Sequence, residues 1–544
     1  MRKLFQPWKI VTILMFLMIF SSLFAFIYTE QVKLPSENWS NALEIDAYSP
    51  DMDFENLTAN NTMAIAIDDS SFVNIIALGN RLSFTTFNVE GHKLKEGQID
   101  FDQDIYEFSG SMTNGQMELI TVTENFDRVT FISINPEDFK EVDRKTVSID
   151  GMDVKLSTQH ATAFNDSEVL IIKDGESVRY TPEFEGRIEL AESIITPDQT
   201  LISFINMKTS TYKLCVMTAN DKTQTTECLY ILPSLSAINP VNIAMALDDD
   251  DEAVVISTMK HSRFGTNYVD FFMFESNTPA DFQHSGYEID TYEAVPYLLQ
   301  EKNGQLSYLI NFWAADLGRT EIAKGVQAYP NIYKTTHGTD EMKQLTKSER
   351  SSVKPSYLKI GEFDYLIHNE QHDLVNKVFI SSNSPQMIKD SLDYSRDTLF
   401  DIFMRTITTY PALILAGIPP MMTVLLPVMV IALPVLMFKL SWAEQNKNLM
   451  SLLIIVLFMA SKVVAFGWDI FPFFTAQGSW PPFLASPTSH WSAFALFSVL
   501  NIFVYWNRNK CHKENRDHFL KSIMIYILLD LVVMIMFFMP YSIV

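Results

Sequence analysis

The chain has 544 residues, of which 47% are hydrophobic and 19% are charged. This length and composition exclude a disordered tail and a small disulfide scaffold, and they leave room for two or three domains. The 65 acidic side chains outnumber the 41 basic ones, which gives a net charge of −24. Binding a phosphate backbone requires a basic surface, so we expect no nucleic-acid partner. With three cysteines the chain cannot form a cysteine-rich zinc module.

The first predicted element is an uncharged, mainly apolar run from Ile10 to Tyr28 behind a basic N-terminus. At about 1.5 Å per residue, it is long enough to cross a hydrocarbon core of about 30 Å. A cleavage site needs small residues at positions −3 and −1, and with Ala25 at −1 the bulky Leu23 occupies −3. We therefore predict residues 1–29 as a retained membrane anchor, with a cleaved signal peptide as the alternative.

From about Asn61 to Tyr394 the chain consists of short alternating or apolar runs separated by turn residues, as in Met63–Ile67 and Phe72–Leu78. The runs form about seven units, each with room for four strands, which is typical of propeller blades. We predict a linker at residues 30–60 and an all-β, propeller-like domain over residues 61–395, with a large sandwich as the alternative. The units begin near positions 61, 103, 150, 191, 235, 292 and 354.

Two stretches of this region share a pattern that includes a proline-containing turn ahead of a strand. The first is Ile195-Thr196-Pro197-Asp198-Gln199-Thr200 followed by Leu201–Phe204, and the second contains Ile332-Tyr333, Gly338, Leu345-Thr346, Pro355-Ser356-Tyr357, Gly361 and Tyr365-Leu366-Ile367. Both stretches resemble the blade repeat of TolB-type β-propellers, although Tyr357 stands where tryptophan is usual. The resemblance covers two of about seven units. It implies a disc with a central channel that binds proteins or peptides, in a family with some members fused to hydrolases, but a fold analogy does not transfer activity.

Cys215 and Cys228 lie on two predicted strands joined by a turn near Asn220 to Thr223. A turn centred between Asp221 and Lys222 places the two cysteines opposite each other. A disulfide is then geometrically plausible in an oxidising compartment, and two buried free thiols are the alternative.

Other clusters of ligand-type residues do not have the spacing of a metal site. The acidic run Asp248–Glu252 lacks the alternate spacing and glycine of a calcium loop, so we interpret it as a solvated turn. We interpret His368–His372 as a hairpin turn, and Cys511 with His512 and His518 as part of a solvated basic loop. The sequence predicts no cofactor and no metal site.

Four more apolar runs fill the C-terminal quarter, and their flanks indicate an orientation. We predict a linker at residues 396–408 and a four-helix transmembrane domain over residues 409–544. With the N-terminus inside, residues 30–408 lie outside, and the link from Asp469 to His490, which has no Lys or Arg, also lies outside. The predicted spans are Tyr410–Phe438, Leu449–Trp468, Trp491–Tyr505 and Ser522–Ile543.

Charge follows the same division of the chain. Residues 30–408 carry 60 acidic and 30 basic side chains, whereas the two flanking segments are net basic. Basic links on the inner side and an acidic domain outside agree with the positive-inside rule. We predict a multi-pass protein of the cell membrane, with a bacterial cytoplasmic membrane as the expected setting.

Lys462 lies inside the third predicted span and Asp530 inside the fifth. An ionisable residue within a membrane is costly and therefore a candidate for function. Helical rise places the two residues at nearby depths, so we predict an intramembrane ion pair that joins two helices. An ion or proton pathway and snorkelling without a partner are the alternatives.

These features favour a non-enzymatic, membrane-anchored binding or scaffold protein whose external domain recognises a protein, peptide or envelope ligand. The lipid bilayer and a protein partner are the expected contacts. A transporter or channel subunit with an external cap domain is the first alternative, and an external hydrolase is the second. Motifs for a phosphate loop, a nucleophile elbow or a dinucleotide site do not occur in the sequence.

Overall fold

A computed structural model of the chain divides it into two compact units. The propeller unit comprises Leu34–Gly318 and Ala328–Asp393, and the helical unit contains Met1–Lys33 and Tyr394–Val544. Each unit is described by itself below. The structure describes residues 7–32, 34–48, 62–196, 198–209, 211–220, 223–232, 238–247, 253–262, 267–275, 278–289, 295–300, 306–312, 331–336, 342–347, 352–372, 375–392, 396–416, 422, 424–431, 434, 442, 445–467, 487–511 and 519–542.

The described residues of the propeller unit form seven four-stranded antiparallel sheets, numbered here as blades 1 to 7. Blades 1 to 6 each take four consecutive strands, beginning with β2. The strands are β1 Leu43–Tyr48, β2 Thr62–Asp68, β3 Ser71–Leu78, β4 Arg81–Asn88, β5 Lys93–Asp100, β6 Ile105–Thr113, β7 Gln116–Thr123, β8 Arg128–Ile134, β9 Glu141–Ser148, β10 Asp153–Leu156, β11 Ala161–Phe164, β12 Val169–Lys173, β13 Glu176–Tyr180, β14 Arg187–Ile195, β15 Thr200–Lys208, β16 Thr211–Ala219, β17 Gln224–Leu232, β18 Ile238–Leu247, β19 Ala253–Ser262, β20 Asn267–Glu275, β21 Gln283–Ile289, β22 Val295–Gln300, β23 Leu306–Phe312, β24 Asn331–Thr336, β25 Met342–Gln344, β26 Ser352–Ile360, β27 Phe363–His372 and β28 Val375–Ser382.

The blades form a closed ring. First strands of neighbouring blades contact each other, as β2 does with β6 and β14 with β18, and β26 of blade 7 contacts β2 of blade 1. The first strands therefore surround a central axis, which is the arrangement of a β-propeller. The prediction of a β-propeller is confirmed by this strand pairing.

Blade 7 takes its outermost strand from the start of the unit, because β1 pairs with β28. This corrects the predicted linker at residues 30–60, since Leu43–Tyr48 is a strand of the propeller. Just before β1, the indole Nε1 of Trp39 donates a hydrogen bond to Ser381 Oγ at 3.1 Å. The sequence conceals this strand because its partner lies more than 300 residues away along the chain.

The hydrophobic core of this unit lies between neighbouring blades. The second strands are apolar on both faces, so Ser71–Leu78 is buried at seven of its eight positions. Phe84 of blade 1 packs in one cluster with Phe108 and Leu119 of blade 2. Outer strands are polar instead, as in Glu141–Ser148, where most side chains are exposed. This gradient from the axis to the rim explains why the sheets stack side by side.

Two interpretations made from the sequence can be compared with the described strands of blades 6 and 7, namely the TolB-like stretch and the segment His368–His372. The stretch that resembles a TolB repeat runs from β24 to β27, and Tyr357 packs with Leu309 and Leu366 between these blades. Gly361 forms the turn after β26 with a φ of +60°, a conformation that favours glycine. The segment His368–His372 is not a hairpin turn, because it continues β27. Its polar residues His368, Asn369 and Glu370 are all buried, and polar side chains at buried positions hid this strand from sequence reasoning.

The helical unit contains five long helices in the part of the chain that the structure describes. These are α1 Pro7–Val32, α3 Arg396–Ala416, α4 Lys447–Gly467, α5 Pro487–Cys511 and α6 Phe519–Ser542, whereas the short α2 Pro385–Ser391 belongs to the propeller unit. Residues 424–431 are also helical. The predicted linker at residues 396–408 is wrong, because these residues form the first turns of α3. Their mixed polar and apolar sequence lacks the continuous apolar character used to mark the spans.

Helix α1 is an integral part of this unit. Met15, Ile19 and Leu23 lie on one face and are buried in a cluster with Phe497 of α5 and Phe538 of α6. The spacing of four residues places these three side chains one above another on the helix. The opposite face of α1 carries exposed apolar side chains, including Leu14 and Leu17.

Two of the described helical segments have the length and hydropathy of membrane spans, Pro7–Ala25 and Lys447–Val464. The segment Ser522–Phe538 is also apolar but shorter. Helix α5 covers the predicted fourth span, although polar residues such as Asn501 lower its mean hydropathy. The number of five spans stays a prediction, and parts of the second predicted span lie outside the described residues.

Candidate functional site

Four ionisable side chains from the first strands of four blades meet around the propeller axis. Glu107 lies on β6, Lys155 on β10, Glu192 on β14 and Lys354 on β26. Lys155 Nζ of blade 3 lies 3.7 Å from Glu192 Oε2 of blade 4. The same ammonium donates a hydrogen bond at 2.7 Å to the carbonyl oxygen of Ile243 in blade 5. A side chain that reaches past the adjacent blade must point toward the axis, so we call these four residues the channel cluster.

Burial dominates the electrostatics of the channel cluster. It raises the pKa of Glu107 to about 7, although Lys155 and Lys354 oppose this shift. It also raises the pKa of Glu192 to about 7, against the opposing charge of Lys155. Burial lowers the pKa of Lys354 to about 8, and Glu107 opposes that shift. The cluster therefore changes its charge near neutral pH, where an ordinary surface carboxylate would be fully ionised.

The backbone directs Lys354 into this cluster. The register of β26 against β27 shifts between Val353 and Ser356, which is the signature of a β-bulge. Lys354 lies in this bulge with a φ of +54°, in the left-handed region that a lysine rarely occupies. A bulge re-aims the side chains of its strand, and a strained residue persists only where the surrounding structure holds it.

A second polar network joins blades 3 and 4. His160 Nδ1 lies 2.9 Å from Ser157 Oγ, and its Nε2 lies 2.8 Å from Ser193 Oγ. Thr162 Oγ1 lies 2.6 Å from the same Ser193 hydroxyl. Burial lowers the pKa of His160 to about 4, so the imidazole is neutral at pH 7. Both His160 and Ser193 are buried, so this pair links two blades and is closed to a substrate.

One face of the propeller is acidic in blades 1 to 4. In each blade the loop between strands two and three and the loop to the next blade lie on the same face, because adjacent strands are antiparallel. Among the described residues of these loops, nine are acidic and none is Lys or Arg. We call this the acidic loop face, formed by Asp102, Asp104, Glu124, Asp127, Asp150, Asp166, Glu168, Glu183 and Glu185.

Some carboxylates of the acidic loop face have basic neighbours on the strands. Arg128 lies 3.7 Å from Asp127, and Arg179 lies 2.9 Å from Glu168. All of these pairs are at least partly exposed, so each contributes little to stability. The loops on the opposite face of the same blades carry charges of both signs, since their described residues include Lys140 as well as acidic residues.

The predicted site residues lie as follows. Cys215 and Cys228 face each other in the register of β16 and β17 and form a disulfide. In the helical unit, Lys462 Nζ donates hydrogen bonds to Asp530 Oδ2 and, at 3.0 Å, to Ser498 Oγ. Asn501 Nδ2 donates to Asp530 Oδ1 at 2.9 Å.

The ligand-type clusters from the sequence do not assemble into a metal site. The run Asp248–Glu252 and the histidines His512 and His518 lie outside the described residues. Within the residues that the structure describes, no group of three or more His, Cys, Asp or Glu side chains has the geometry to hold a metal ion.

Sequence reasoning missed the channel cluster. Its members are single charged residues on four first strands, separated by up to about 250 positions. The available signal was a charged residue inside a strand whose neighbours are apolar, as at Glu107 between Tyr106 and Phe108. Only the ring closure indicates which of these positions meet.

No family model matches the chain, and no curated protein matches it. Among solved structures, it is similar to the WD40 domain of coronin from Toxoplasma gondii, with 12% identity over 66% of this chain and 92% of that chain at a TM-score of 0.37. It is also similar to the WD40 domain of SCAP from fission yeast, with 8% identity over 64% of this chain and 100% of that chain at a TM-score of 0.28. The S. cerevisiae core factor is similar with 9% identity over 88% and 83% at a TM-score of 0.36. The propeller assignment rests on the strand pairing, and the TolB-type resemblance stays a prediction.

Proposed function

We propose that the protein is a membrane-anchored binding protein whose propeller lies outside the membrane and binds a basic protein or peptide. The observation that carries the proposal is the acidic loop face, with nine carboxylates and no Lys or Arg among its described loop residues. A surface of one sign attracts a partner of the opposite sign and speeds its association. The net excess of 30 acidic side chains over residues 30–408 acts in the same direction.

The distribution of polarity in the helical unit supports the membrane anchor. Its outer faces carry exposed apolar side chains, such as Leu14 at 57%, Val456 at 56% and Val499 at 63% exposure. Its interior holds Lys462 and Asp530, which are 3% and 0% exposed. Apolar outside and polar inside is the arrangement expected of helices that have lipid as their solvent.

Two observations support an extracytoplasmic propeller. The basic links of the helical segment lie on the side assigned to the N-terminus, as the positive-inside rule requires. The Cys215–Cys228 disulfide would persist in an oxidising compartment and would be reduced in a cytosol. The packed face of α1 supports a retained anchor over a cleaved signal peptide, because Ile19 and Leu23 fill the core of the helical unit.

A groove in the helical unit offers a contact for a partner within the bilayer. It has a volume of about 760 Å³ and lies between α1 and α5. Ser21 and Ser22 line it from α1, and Ser489 and Ser492 line it from α5. Small hydroxyl residues allow helices to approach closely and to form hydrogen bonds across the contact.

The test compares two variants that each lose five negative charges from described loops. The first neutralises the acidic loop face with D102N, D104N, E124Q, D166N and E183Q, and the second neutralises the opposite loops with D69N, E90Q, E137Q, D174N and D198N. The full-length protein in nanodiscs is titrated with a Lys- and Arg-rich peptide at low and at physiological salt. We expect the first variant to lose most of the affinity and its salt dependence, and the second to keep both.

An equal loss of peptide affinity in the two variants would contradict binding at the acidic loop face. It would show that the affinity depends on the net charge of the protein alone. Protease treatment of intact cells tests the location separately, because an external propeller is digested without lysis.

A second candidate function, a transporter or channel subunit, is favoured by one observation, the polar interior of the helical unit.

A further inference from the structure

Two lysines lie side by side in blade 6 and face blade 7. Lys334 on β24 and Lys343 on β25 are directly opposite each other in the strand register, so their side chains lie on the same face of the sheet. Lys334 Nζ donates a hydrogen bond at 3.1 Å to Tyr357 Oη of blade 7. Like charges directly opposite each other on neighbouring strands are destabilising, so an anion beside this pair would stabilise it.

Two stacked aromatic rings hold these lysines at the boundary between the blades. The rings of Trp39 and Tyr357 are parallel within 9°, and their centroids are 6.3 Å apart. Lys334 Nζ lies 4.7 Å from the centre of the Tyr357 ring, and Lys343 Nζ lies 5.2 Å from the centre of the Trp39 ring. A cation over an aromatic face is attracted by the ring quadrupole. Both ammonium groups are therefore positioned by the protein itself.

Blade 7 contributes a third lysine to the same boundary. Lys359 is two residues after Tyr357 on β26, so the two side chains lie on the same face of that strand. Burial lowers the pKa of Lys334, and the charges of Lys343 and Lys359 lower it further, against the opposing charge of Asp364. Lys359 is exposed and the other two lysines are half-buried, so solvent reaches the group. We call Lys334, Lys343 and Lys359 the lysine cluster.

Two carboxylates face the lysine cluster. Asp364 is opposite Lys359 in the register of β26 and β27. Burial lowers the pKa of Lys343, and the charges of Asp364 and Glu37 oppose this shift. Asp364 Oδ2 already accepts a hydrogen bond at 3.2 Å from Asn383 Nδ2. Among the described residues, neither Lys343 nor Lys359 lies within ion-pair distance of a carboxylate, so both keep donors for another anion.

We propose that the lysine cluster binds a phosphate group. A phosphate group presents three strong acceptor oxygens, one for each ammonium group, whereas a carboxylate has two oxygens. Lysine binds phosphate as a point charge, and hydrogen bonds between charged groups are about twice as strong as those between neutral ones. The phosphate group belongs either to a small soluble molecule or to a lipid headgroup, and the experiment below distinguishes these two sources.

The lysine cluster and the acidic loop face belong to opposite faces of the propeller. Lys359 is two residues before Gly361, which forms the turn between the first and second strands of blade 7. That turn lies on the face opposite the acidic loops, because adjacent strands are antiparallel. The phosphate site is therefore separate from the surface proposed for a basic peptide, and it stands whether or not that peptide binds.

The experiment titrates inorganic phosphate into the full-length protein in a maltoside detergent, which contains no phosphate, and measures the heat of binding. K343M and K359M each remove one ammonium group of the lysine cluster. The matched control is K95M, because Lys95 of blade 1 also lies over an aromatic ring, 4.8 Å from the centre of Phe139. We expect one phosphate per chain, an affinity about tenfold weaker in K343M and in K359M, and an unchanged affinity in K95M.

A second titration uses a short-chain phosphatidic acid below its micelle concentration. An affinity equal to that of inorganic phosphate supports a soluble ligand, and an affinity at least about tenfold tighter supports a lipid headgroup. The absence of heat with both probes, or equal affinities in K359M and K95M, would overturn the inference and leave the lysines as a structural link between blades. Because Lys359 is exposed, K359M keeps the test valid even if K343M disturbs the packing on Trp39.

Discussion

The propeller unit and the helical unit place their polar groups in opposite positions. In the propeller unit, aromatic and aliphatic side chains such as Phe84 and Phe108 fill the space between blades, and carboxylates cover the loops. In the helical unit, Lys462 and Asp530 are interior and apolar side chains such as Val499 are exposed. This difference supports the proposed membrane location of the helical unit, because a side chain is stable on the surface only where the solvent tolerates it.

The largest expected effect comes from breaking the interior polar pair of the helical unit. Asp530→Ala leaves the Lys462 ammonium buried without its carboxylate and should lower the free energy of unfolding by about 3–5 kcal/mol. The double variant Lys462→Met/Asp530→Leu should recover most of this loss, because it removes both charges together. Denaturant titration in detergent micelles measures both. A double variant as unstable as the single one would show that the pair does more than balance charge.

The matching test in the propeller unit removes an apolar side chain between blades. Phe108 is completely buried between blades 1 and 2, so Phe108→Ala should lower the free energy of unfolding by about 3–5 kcal/mol. Leu94 on the outer strand β5 is 59% exposed, and Leu94→Ala should change it by less than about 0.5 kcal/mol. Pulse proteolysis of the full-length protein in urea gives both values. Similar losses for the two variants would contradict an inter-blade core.

The sequence predicts the repeating part of the propeller well. Its strands alternate over short distances, and the predicted unit starts near 61, 103 and 150 lie within three residues of β2, β6 and β10. The hairpin that carries Cys215 and Cys228 is also local, so the position of its turn determines the register. Local periodicity and turn chemistry were sufficient for these features.

Features that depend on closing the ring could not be predicted in this way. Strand β1 pairs with β28, and the chain between them contains the other blades. The channel cluster combines Glu107 with Lys354 for the same reason. A single sequence holds no information on which distant strands become neighbours, because pairing of this kind is set by the geometry of the whole ring.

The disulfide allows a test of the proposed topology, in which the propeller lies outside the membrane. Breaking the Cys215–Cys228 bond with the double variant Cys215→Ala/Cys228→Ser should lower the free energy of unfolding of the propeller by about 3 kcal/mol, since the bond closes a short loop. The proposed topology places Cys511, at the end of α5, on the opposite side of the membrane. In intact cells, a membrane-impermeant maleimide should therefore label none of the three cysteines until a reductant frees Cys228. Labelling of Cys511 from outside would contradict the assigned topology.

The smallest expected change in the free energy of unfolding comes from Glu192→Gln, which removes an ionisable group from the interior of the propeller. The Glu192 pKa of about 7 in the folded state lies above the ordinary value of 4.5, so the folded state binds a proton more tightly than the unfolded chain does. The stability that this proton contributes is complete below about pH 4.5 and is lost as the pH rises through 7. Glu192→Gln should therefore raise the free energy of unfolding relative to the wild type at about pH 8, by at most about 3 kcal/mol.

At about pH 5 the same substitution should have little effect, because Glu192 is already protonated there. The expected gain at high pH is reduced by Lys155, which loses its partner at 3.7 Å. The control is Glu176→Gln on the exposed edge of β13, for which we expect a difference from the wild type of less than about 0.5 kcal/mol at both pH values. If Glu192→Gln shows no dependence on pH, the channel carboxylate is fully paired by Lys155. The propeller would then tolerate a buried charge as well as the helical unit does.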